Sequence, residues 1–145
     1  MNHHPELDSN IARANLREYI NVVISKSADL ARGWTKPIEF LWIDGDHSYR
    51  GCLADIRNWS RHVTKGGYIG FHDFADGMGV AQAVYEALLS RPWLYRVESD
   101  RNYGSIFLLE KIAEEDAVAP WTDRMQPMTR SWPRSLYRKQ VVHRE

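Results

Sequence analysis

The chain has 145 residues, of which 43% are hydrophobic, and this length and composition suit one domain with a buried core. Its 19 Lys and Arg residues equal its 19 Asp and Glu residues, which argues against a nucleic-acid-binding protein. The chain has one cysteine, so no internal disulfide is expected. It shows no apolar run long enough for a membrane helix and no signal-peptide pattern, so a cytoplasmic protein without membrane contacts is predicted.

The first third of the chain alternates helix-like and strand-like segments. A helix is predicted over about residues 10–19, and the β-branched run Ile20–Ile24 is typical of a strand. A loop then leads into a short helix that ends at Gly33. The nearly continuous apolar run Ile38–Ile43 is typical of a parallel strand that is covered on both faces.

The middle of the chain continues this alternation. Residues 49–63 carry apolar side chains at helical spacing. A Gly-containing turn at residues 65–67 precedes a second buried strand over residues 68–71. Residues 80–89 have an apolar stripe on one side and predict an amphipathic helix.

The last two predicted strands, residues 93–98 and 105–110, flank a polar turn and are therefore expected to be antiparallel. The whole pattern predicts an α/β fold with a mostly parallel sheet that ends in an antiparallel pair. Residues 1–111 are expected to form this domain. Residues 112–145 form a tail that is acidic at residues 114–116 and Arg-rich with little apolar periodicity over residues 124–145, which indicates a solvated or loosely docked tail more than a specific partner arm.

Polar residues follow both buried strands of the predicted sheet. Asp44–His47 follows the first strand, and His72 and Asp73 follow the second. Because ligands bind at the carboxyl ends of strands in open sheets, we expect Asp44 and Asp73 to face each other across one crevice. Two carboxylates suit a hard divalent cation, and a histidine suits general-base catalysis. Alternatively, Asp44 and Asp46 cap the turn and the next helix, His47 is a residue of the turn or a support for neighbouring ligands, and His72 is structural.

The segments Ile43–Tyr49 and Lys65–Asp73 resemble the fourth and fifth strands, with the loops that follow them, of class I S-adenosylmethionine-dependent methyltransferases. The subgroup they resemble is the small-molecule O-methyltransferases that include macrocin-type sugar methyltransferases. The resemblance extends over about residues 8–111. It implies a Rossmann-like methyltransferase sheet, S-adenosylmethionine as the cofactor and a small-molecule hydroxyl as the methyl acceptor.

The resemblance also implies roles for individual residues. His47 matches the base that takes the acceptor proton. Asp44, His72 and Asp73 match metal ligands, with Mg²⁺ as the expected ion. Ser27, Ala28 and Asp44 match positions that contact the cofactor. The mechanism would be proton removal from the hydroxyl, followed by attack of the oxygen on the sulfonium methyl.

The sequence lacks the first two strands of that fold, together with the Gly-rich loop that contacts the cofactor. Three explanations are open: a fragment of a longer product, a degenerate non-catalytic domain, or a chain completed by a partner. A partner chain or a second copy is therefore expected to cover the exposed sheet edge. A different alternative is a glycosyltransferase that holds a nucleotide sugar through a cation bound by Asp44-Gly45-Asp46.

Overall fold

The computed structural model describes residues 5–75, 78–98 and 105–117. The chain divides into two compact units, residues 1–33 and residues 34–145. In the described part of the chain, no helix is long and apolar enough to cross a bilayer.

The described residues of the first unit form two short helices. Helix α1 spans Pro5–Arg13, so the predicted bounds of residues 10–19 are wrong. Proline favours the first turn of a helix, and the chain has left the helix by Asn15, whose φ is 55°. Helix α2 spans Ser27–Arg32 and ends at Gly33, as predicted.

The predicted strand over Ile20–Ile24 is wrong. These residues form no helix or strand, and the four apolar side chains among them are 41–57% exposed. A β-branched run becomes a strand only where a neighbouring strand completes its backbone hydrogen bonds. The sheet of the second unit includes no strand from this run.

The second unit is built on a four-stranded mixed sheet. Its elements in chain order are β1 (Ile38–Ile43), α3 (Tyr49–Trp59), β2 (Val63–Phe71), α4 (Met78–Val84), a π-helical continuation (Tyr85–Leu89), β3 (Tyr95–Val97) and β4 (Phe107–Lys111). The strand order is β1-β2-β4-β3. β1 is parallel to β2, whereas β4 is antiparallel to both β2 and β3. The α/β class and the antiparallel final pair are confirmed. Among the described residues only one of the three strand pairs is parallel, so the sheet is mixed where a mostly parallel sheet was expected, because β4 lies between β2 and β3 and runs antiparallel to both.

β2 is longer than predicted. Residues Lys65–Gly67, predicted as a turn, lie inside the strand, where its register against β1 is interrupted. Gly66 has a φ of 83°, and a Cβ atom on Gly67 would lie 2.9 Å from the carbonyl oxygen of Glu39. The two glycines therefore let the strand bulge while it stays in the sheet.

One face of the sheet packs against α3 and α4. The buried side chains of this core are Ile43, Cys52, Leu53, Ile56, Val63, Ile69, Phe71, Val80, Ala83, Val84, Leu88, Leu94, Tyr95, Phe107 and Leu109. Because side chains alternate along a strand, Phe40 and Trp42 point to the opposite face, where both are exposed. The core thus fixes β1 and β2 side by side and leaves their carboxyl ends at one edge.

The chain continues to contact this unit after β4. The Ile112 amide donates to the Leu94 carbonyl at 2.8 Å, and the Tyr95 hydroxyl donates to Glu115 at 2.9 Å. The rest of the predicted tail, residues 118–145, lies outside the described residues, as does the turn predicted at residues 100–104.

Candidate active site

The turn after β1 is shaped by Asp46. Its carboxylate accepts a hydrogen bond from the Ser48 amide at 2.8 Å, and the Ser48 hydroxyl accepts one from the Gly51 amide at 3.1 Å, which caps α3. The hydrogen bond from the Ser48 backbone amide lowers the pKa of Asp46 most, and the hydrogen bond with the Ser48 side chain lowers it further. A Cβ atom on Gly51 would lie 2.4 Å from the Asp46 side chain. Asp46 therefore caps the turn, which is one of the two roles that the sequence left open for it, whereas Ser48 caps the helix.

Parallel pairing brings the two strand ends together. Ile43 and Phe71 are register partners, and the His72 amide donates to the Ile43 carbonyl at 3.2 Å, one residue beyond the strand. Asp44 and His72 are consequently neighbours, with 3.5 Å between Asp44 Oδ1 and His72 Nδ1. The expectation that the two polar loops share one edge of the sheet agrees with this geometry.

Four side chains converge at this edge, and we call Asp44, His47, His72 and Asp73 the His-Asp cluster. His47 Nδ1 lies 3.2 Å from Asp73 Oδ2, and His47 Nε2 lies 3.6 Å from Asp44 Oδ1. His72 Nδ1 lies 3.1 Å from Asp73 Oδ1. Each imidazole thus contacts both carboxylates, and all four side chains are 25–47% exposed. The cluster is open to a ligand from solvent.

The backbone of Asp73 adopts a left-handed conformation with a φ of 53°. Residues other than glycine occupy this region infrequently, and such conformations concentrate at functional sites. The next residue is held in place by β4, because the Phe74 amide donates to the Ser105 carbonyl at 2.9 Å and the Phe74 ring stacks on Phe107. This anchoring fixes the direction in which Asp73 projects.

Ser105 also reaches the cluster directly, with its hydroxyl 3.4 Å from His72 Nε2. It therefore contacts the ring nitrogen of His72 that faces away from the carboxylates. From the sequence Ser105 is expected only to belong to a strand, since nothing in the local sequence indicates that the start of β4 lies beside residue 72. The contact between Ser105 and His72 depends on the antiparallel register of β2 and β4.

Gly79 is a second residue that sequence reasoning missed. A Cβ atom there would lie 2.5 Å from the His47 carbonyl oxygen and 2.6 Å from the Tyr49 nitrogen. Helix α4 therefore packs directly on the backbone of the turn after β1, and only glycine permits this approach. The hydrogen bond from the Tyr49 hydroxyl to Glu86, at 2.5 Å, ties the same turn to the π-helical segment.

Three members of the cluster could hold a metal ion together. Asp44, His47 and Asp73 each offer one ligand atom, and these atoms lie within 4.8 Å of one another. The ligand set expected from the sequence is Asp44, His72 and Asp73, which shares the two aspartates. The group found in the structure thus has His47 in the third position, while His72 Nδ1 lies 3.5 Å from Asp44 Oδ1 and 3.1 Å from Asp73 Oδ1.

The remaining predicted cofactor contacts lie in the first unit. Ser27 and Ala28 are the first two residues of α2, whereas Asp44 belongs to the second unit. The cofactor role of Ser27 and Ala28 stays a prediction.

Comparisons with known proteins agree with this architecture. A family model described as Methyltransferase domain matches residues 1–74, just over half of the chain. The uncharacterized protein R132 of Acanthamoeba polyphaga mimivirus is 46% identical over 39 residues, which make up 27% of this chain and 18% of that protein. This chain thus spans less than a fifth of the viral relative.

A solved structure of a protein provisionally described as an rRNA methylase, from Clostridium thermocellum, superimposes with a TM-score of 0.59 and 13% identity. The match covers 76% of this chain and 67% of that one. At this identity the likeness shows the fold alone, and it confirms the Rossmann-like fold expected from the sequence.

Proposed function

The chain belongs to the methyltransferase domain family, and on this premise we propose that it transfers a methyl group from S-adenosylmethionine to a hydroxyl of a small molecule. The observation that carries the proposal is the His-Asp cluster at the carboxyl ends of β1 and β2. Open α/β sheets bind their ligands at this edge. We also propose that the chain is a member of the macrocin-type subgroup, whose acceptors are sugars.

His47 is proposed as the general base. Asp73 Oδ2 lies beside its Nδ1 atom and orients the ring, and Nε2, which lies 3.6 Å from Asp44 Oδ1, is the nitrogen proposed to take the proton of the acceptor hydroxyl. A carboxylate that contacts one ring nitrogen also stabilises the imidazolium formed after proton transfer. The oxygen is then free to attack an electrophile held in line with it.

The cluster suits a cationic cofactor. S-adenosylmethionine, when bound, supplies an electrophilic methyl group on a positively charged sulfur. The exposed carboxylate of Asp44 and the exposed indole of Trp42, whose ring centroid is 6.2 Å from that of His72, provide negative potential and an aromatic face. Asp44 is the proposed cofactor contact in this unit, and Ser27 and Ala28 are proposed contacts from α2.

A divalent cation is a subordinate part of the proposal. A histidine that coordinates a metal cannot also accept a proton on the same nitrogen, so His47 as the base leaves Asp44, His72 and Asp73 as ligands. Mg²⁺ prefers oxygen ligands, whereas two carboxylates with one imidazole suit a cation that accepts both oxygen and nitrogen. The donor set therefore fits Mn²⁺ or Fe²⁺ better than the expected Mg²⁺.

One detail of the turn argues against the glycosyltransferase alternative. That function needs the carboxylates of Asp44 and Asp46 on one cation, but Asp46 accepts a hydrogen bond from Ser48. Within the described residues, the group that could hold a metal contains Asp73 in place of Asp46.

The proposal is tested with the full chain, methyl-tritiated S-adenosylmethionine and a panel of small hydroxylated acceptors that includes sugars and catechols. We expect transfer to a member of the panel, and we expect Asp44→Asn to reduce it at least about tenfold by removing negative charge at the site. The matched control is Asp46→Asn, which changes a carboxylate in the same turn outside the cluster and should retain most of the activity. A parallel series with EDTA measures the metal contribution separately.

Two results would count against the proposal. Stabilisation of the chain by a nucleotide sugar and not by S-adenosylhomocysteine would favour the glycosyltransferase. A folded chain that neither transfers methyl groups nor binds S-adenosylmethionine would favour a non-catalytic member of the family. Activity that survives EDTA removes the metal from the mechanism and leaves the methyltransferase assignment standing.

A further inference from the structure

Ser105 connects β4 to the His-Asp cluster from the side opposite the carboxylates. Its hydroxyl lies 3.4 Å from His72 Nε2, and its carbonyl accepts a hydrogen bond from the Phe74 amide at 2.9 Å. The stacking of Phe74 on Phe107, the first residue of β4, holds the same two segments together. Backbone and ring contacts therefore fix Ser105 beside the loop that carries His72 and Asp73.

His72 is contacted on both ring nitrogens. Its Nδ1 atom lies 3.1 Å from Asp73 Oδ1 and 3.5 Å from Asp44 Oδ1, whereas its Nε2 atom faces the Ser105 hydroxyl. A lone pair on Nδ1 would point at two carboxylates and be repelled by them, so Nδ1 carries the proton of the neutral ring. Nε2 then offers a lone pair, and the Ser105 hydroxyl can donate to it.

Asp73 joins His72 to His47. Its Oδ1 atom lies 3.1 Å from His72 Nδ1 and its Oδ2 atom lies 3.2 Å from His47 Nδ1, so each oxygen can accept from a different imidazole. Both distances are shorter than those from the same two rings to Asp44, which are 3.5 and 3.6 Å. Asp73 is therefore the carboxylate that couples the two histidines.

We propose that Ser105 is a positioning residue for methyl transfer, which acts on His47 through a continuous row of hydrogen bonds. The Ser105 hydroxyl donates to His72 Nε2, and His72 Nδ1 donates to Asp73 Oδ1. His47 Nδ1 donates to the other oxygen of Asp73, which leaves His47 Nε2 unprotonated, as a base requires. The inference rests on the proposed function, in which His47 takes the proton of the acceptor.

The row decides the direction of His47. With one imidazole on each oxygen, the Asp73 carboxylate has one orientation, and that orientation sets where His47 Nε2 points. A misplacement of about 1 Å in a catalytic group can cost ~10²-fold in rate. The distance from Ser105 to His72 is the longest in the row, so its loss should have a smaller effect, about tenfold.

The ring protons of the metal-free chain test the row without any measurement of activity. The chain carries ¹⁵N-labelled histidine and is kept in EDTA at about pH 8.5, where an ordinary histidine is neutral. Two-bond ¹⁵N-¹H spectra then show which nitrogen of each ring is protonated, and the variants His72→Asn and His47→Asn assign the two rings. We expect protonation at Nδ1 in both. In Ser105→Ala, where Nε2 has lost its donor, the proton of His72 should shift toward Nε2.

Rates of methyl transfer test whether the row acts on catalysis. Ser105→Ala should lower kcat about tenfold and change the KM of the acceptor by less than about twofold, because the acceptor contacts stay in place. Ser105→Thr keeps a hydroxyl and should retain most of the wild-type rate. The matched control is Thr64→Val. It removes a hydroxyl that lies 3.4 Å from the Ile38 carbonyl oxygen at the other end of β2, and it should change neither kcat nor the His72 spectrum.

Three results would overturn the proposal. The first is a wild-type His72 ring that carries a proton on Nε2, and the second is a Ser105→Ala variant in which either the His72 spectrum or kcat is unchanged. The third is an equal loss of rate in Ser105→Thr and Ser105→Ala, which would come from packing and not from the hydroxyl. A chain that transfers no methyl group would refute the proposed function and with it the catalytic role of Ser105, whereas the His72 spectra decide separately whether the row exists.

Discussion

Replacement of His47 by asparagine is expected to lower the rate of methyl transfer by about 10²–10⁴-fold, the usual contribution of a general base. Asparagine approximates the size of the ring and can still donate to Asp73, whose carboxylate lies 3.2 Å from His47 Nδ1. It cannot accept the hydroxyl proton. The initial rate at saturating S-adenosylmethionine measures the effect, and the affinity for the cofactor should stay within about twofold, because the change removes an interaction made in the transition state.

His62→Asn is the matched control for this variant. His62 lies in the turn after α3, where it contacts Arg61 and Trp59 away from the cluster. Its replacement should leave the rate of methyl transfer unchanged. Full activity of His47→Asn, or equal losses in the two variants, would show that His47 is not the base.

The largest expected effect on stability comes from Lys111. Its side chain is 1% exposed, and its ammonium donates to the carbonyl oxygens of Val63 at 2.8 Å and Ser60 at 3.4 Å, with Glu115 Oε1 also at 3.4 Å. Lys111→Ala leaves these acceptors without their donor and opens a cavity. We expect the free energy of unfolding to fall by about 3 kcal/mol, measured by urea denaturation.

Arg96→Ala provides the comparison within the same sheet. Arg96 also forms ion pairs, with Glu98 and Glu110, but its side chain is 62% exposed. Water screens such pairs, so the variant should lose less than about 1 kcal/mol. If Lys111→Ala cost no more than Arg96→Ala, the buried lysine would not stabilise the turn between α3 and β2.

Local sequence patterns predicted most elements of the second unit because each segment there matches its tertiary surroundings. The apolar run of β1 is a strand with a parallel neighbour, and the helical spacing after residue 49 forms α3 against the core. The segment Ile20–Ile24 has an equally clear β pattern but forms no strand. Strand propensity depends on an available partner, and that information is not local.

The candidate site was likewise predictable only where local sequence decides the position of a residue. Asp44 and His72 could be predicted as neighbours, because residues that follow adjacent parallel strands meet at one edge. The contact of Ser105 with His72 and the approach of Gly79 to the His47 carbonyl could not be. Both depend on how segments more than 30 residues away along the chain are registered or packed, which a single sequence does not reveal.

Whether the His-Asp cluster binds S-adenosylmethionine for methyl transfer can be measured by a titration followed by ¹⁵N-¹H NMR. The wild-type chain is titrated with S-adenosylmethionine, with Asp44→Asn as the comparison. Saturable shifts should be concentrated at the amides of residues 43–47 and 72–74, and Asp44→Asn should bind more weakly. A folded chain whose amides in these two segments do not shift, or shift equally in Asp44→Asn, would show that the His-Asp cluster is not the binding site of S-adenosylmethionine.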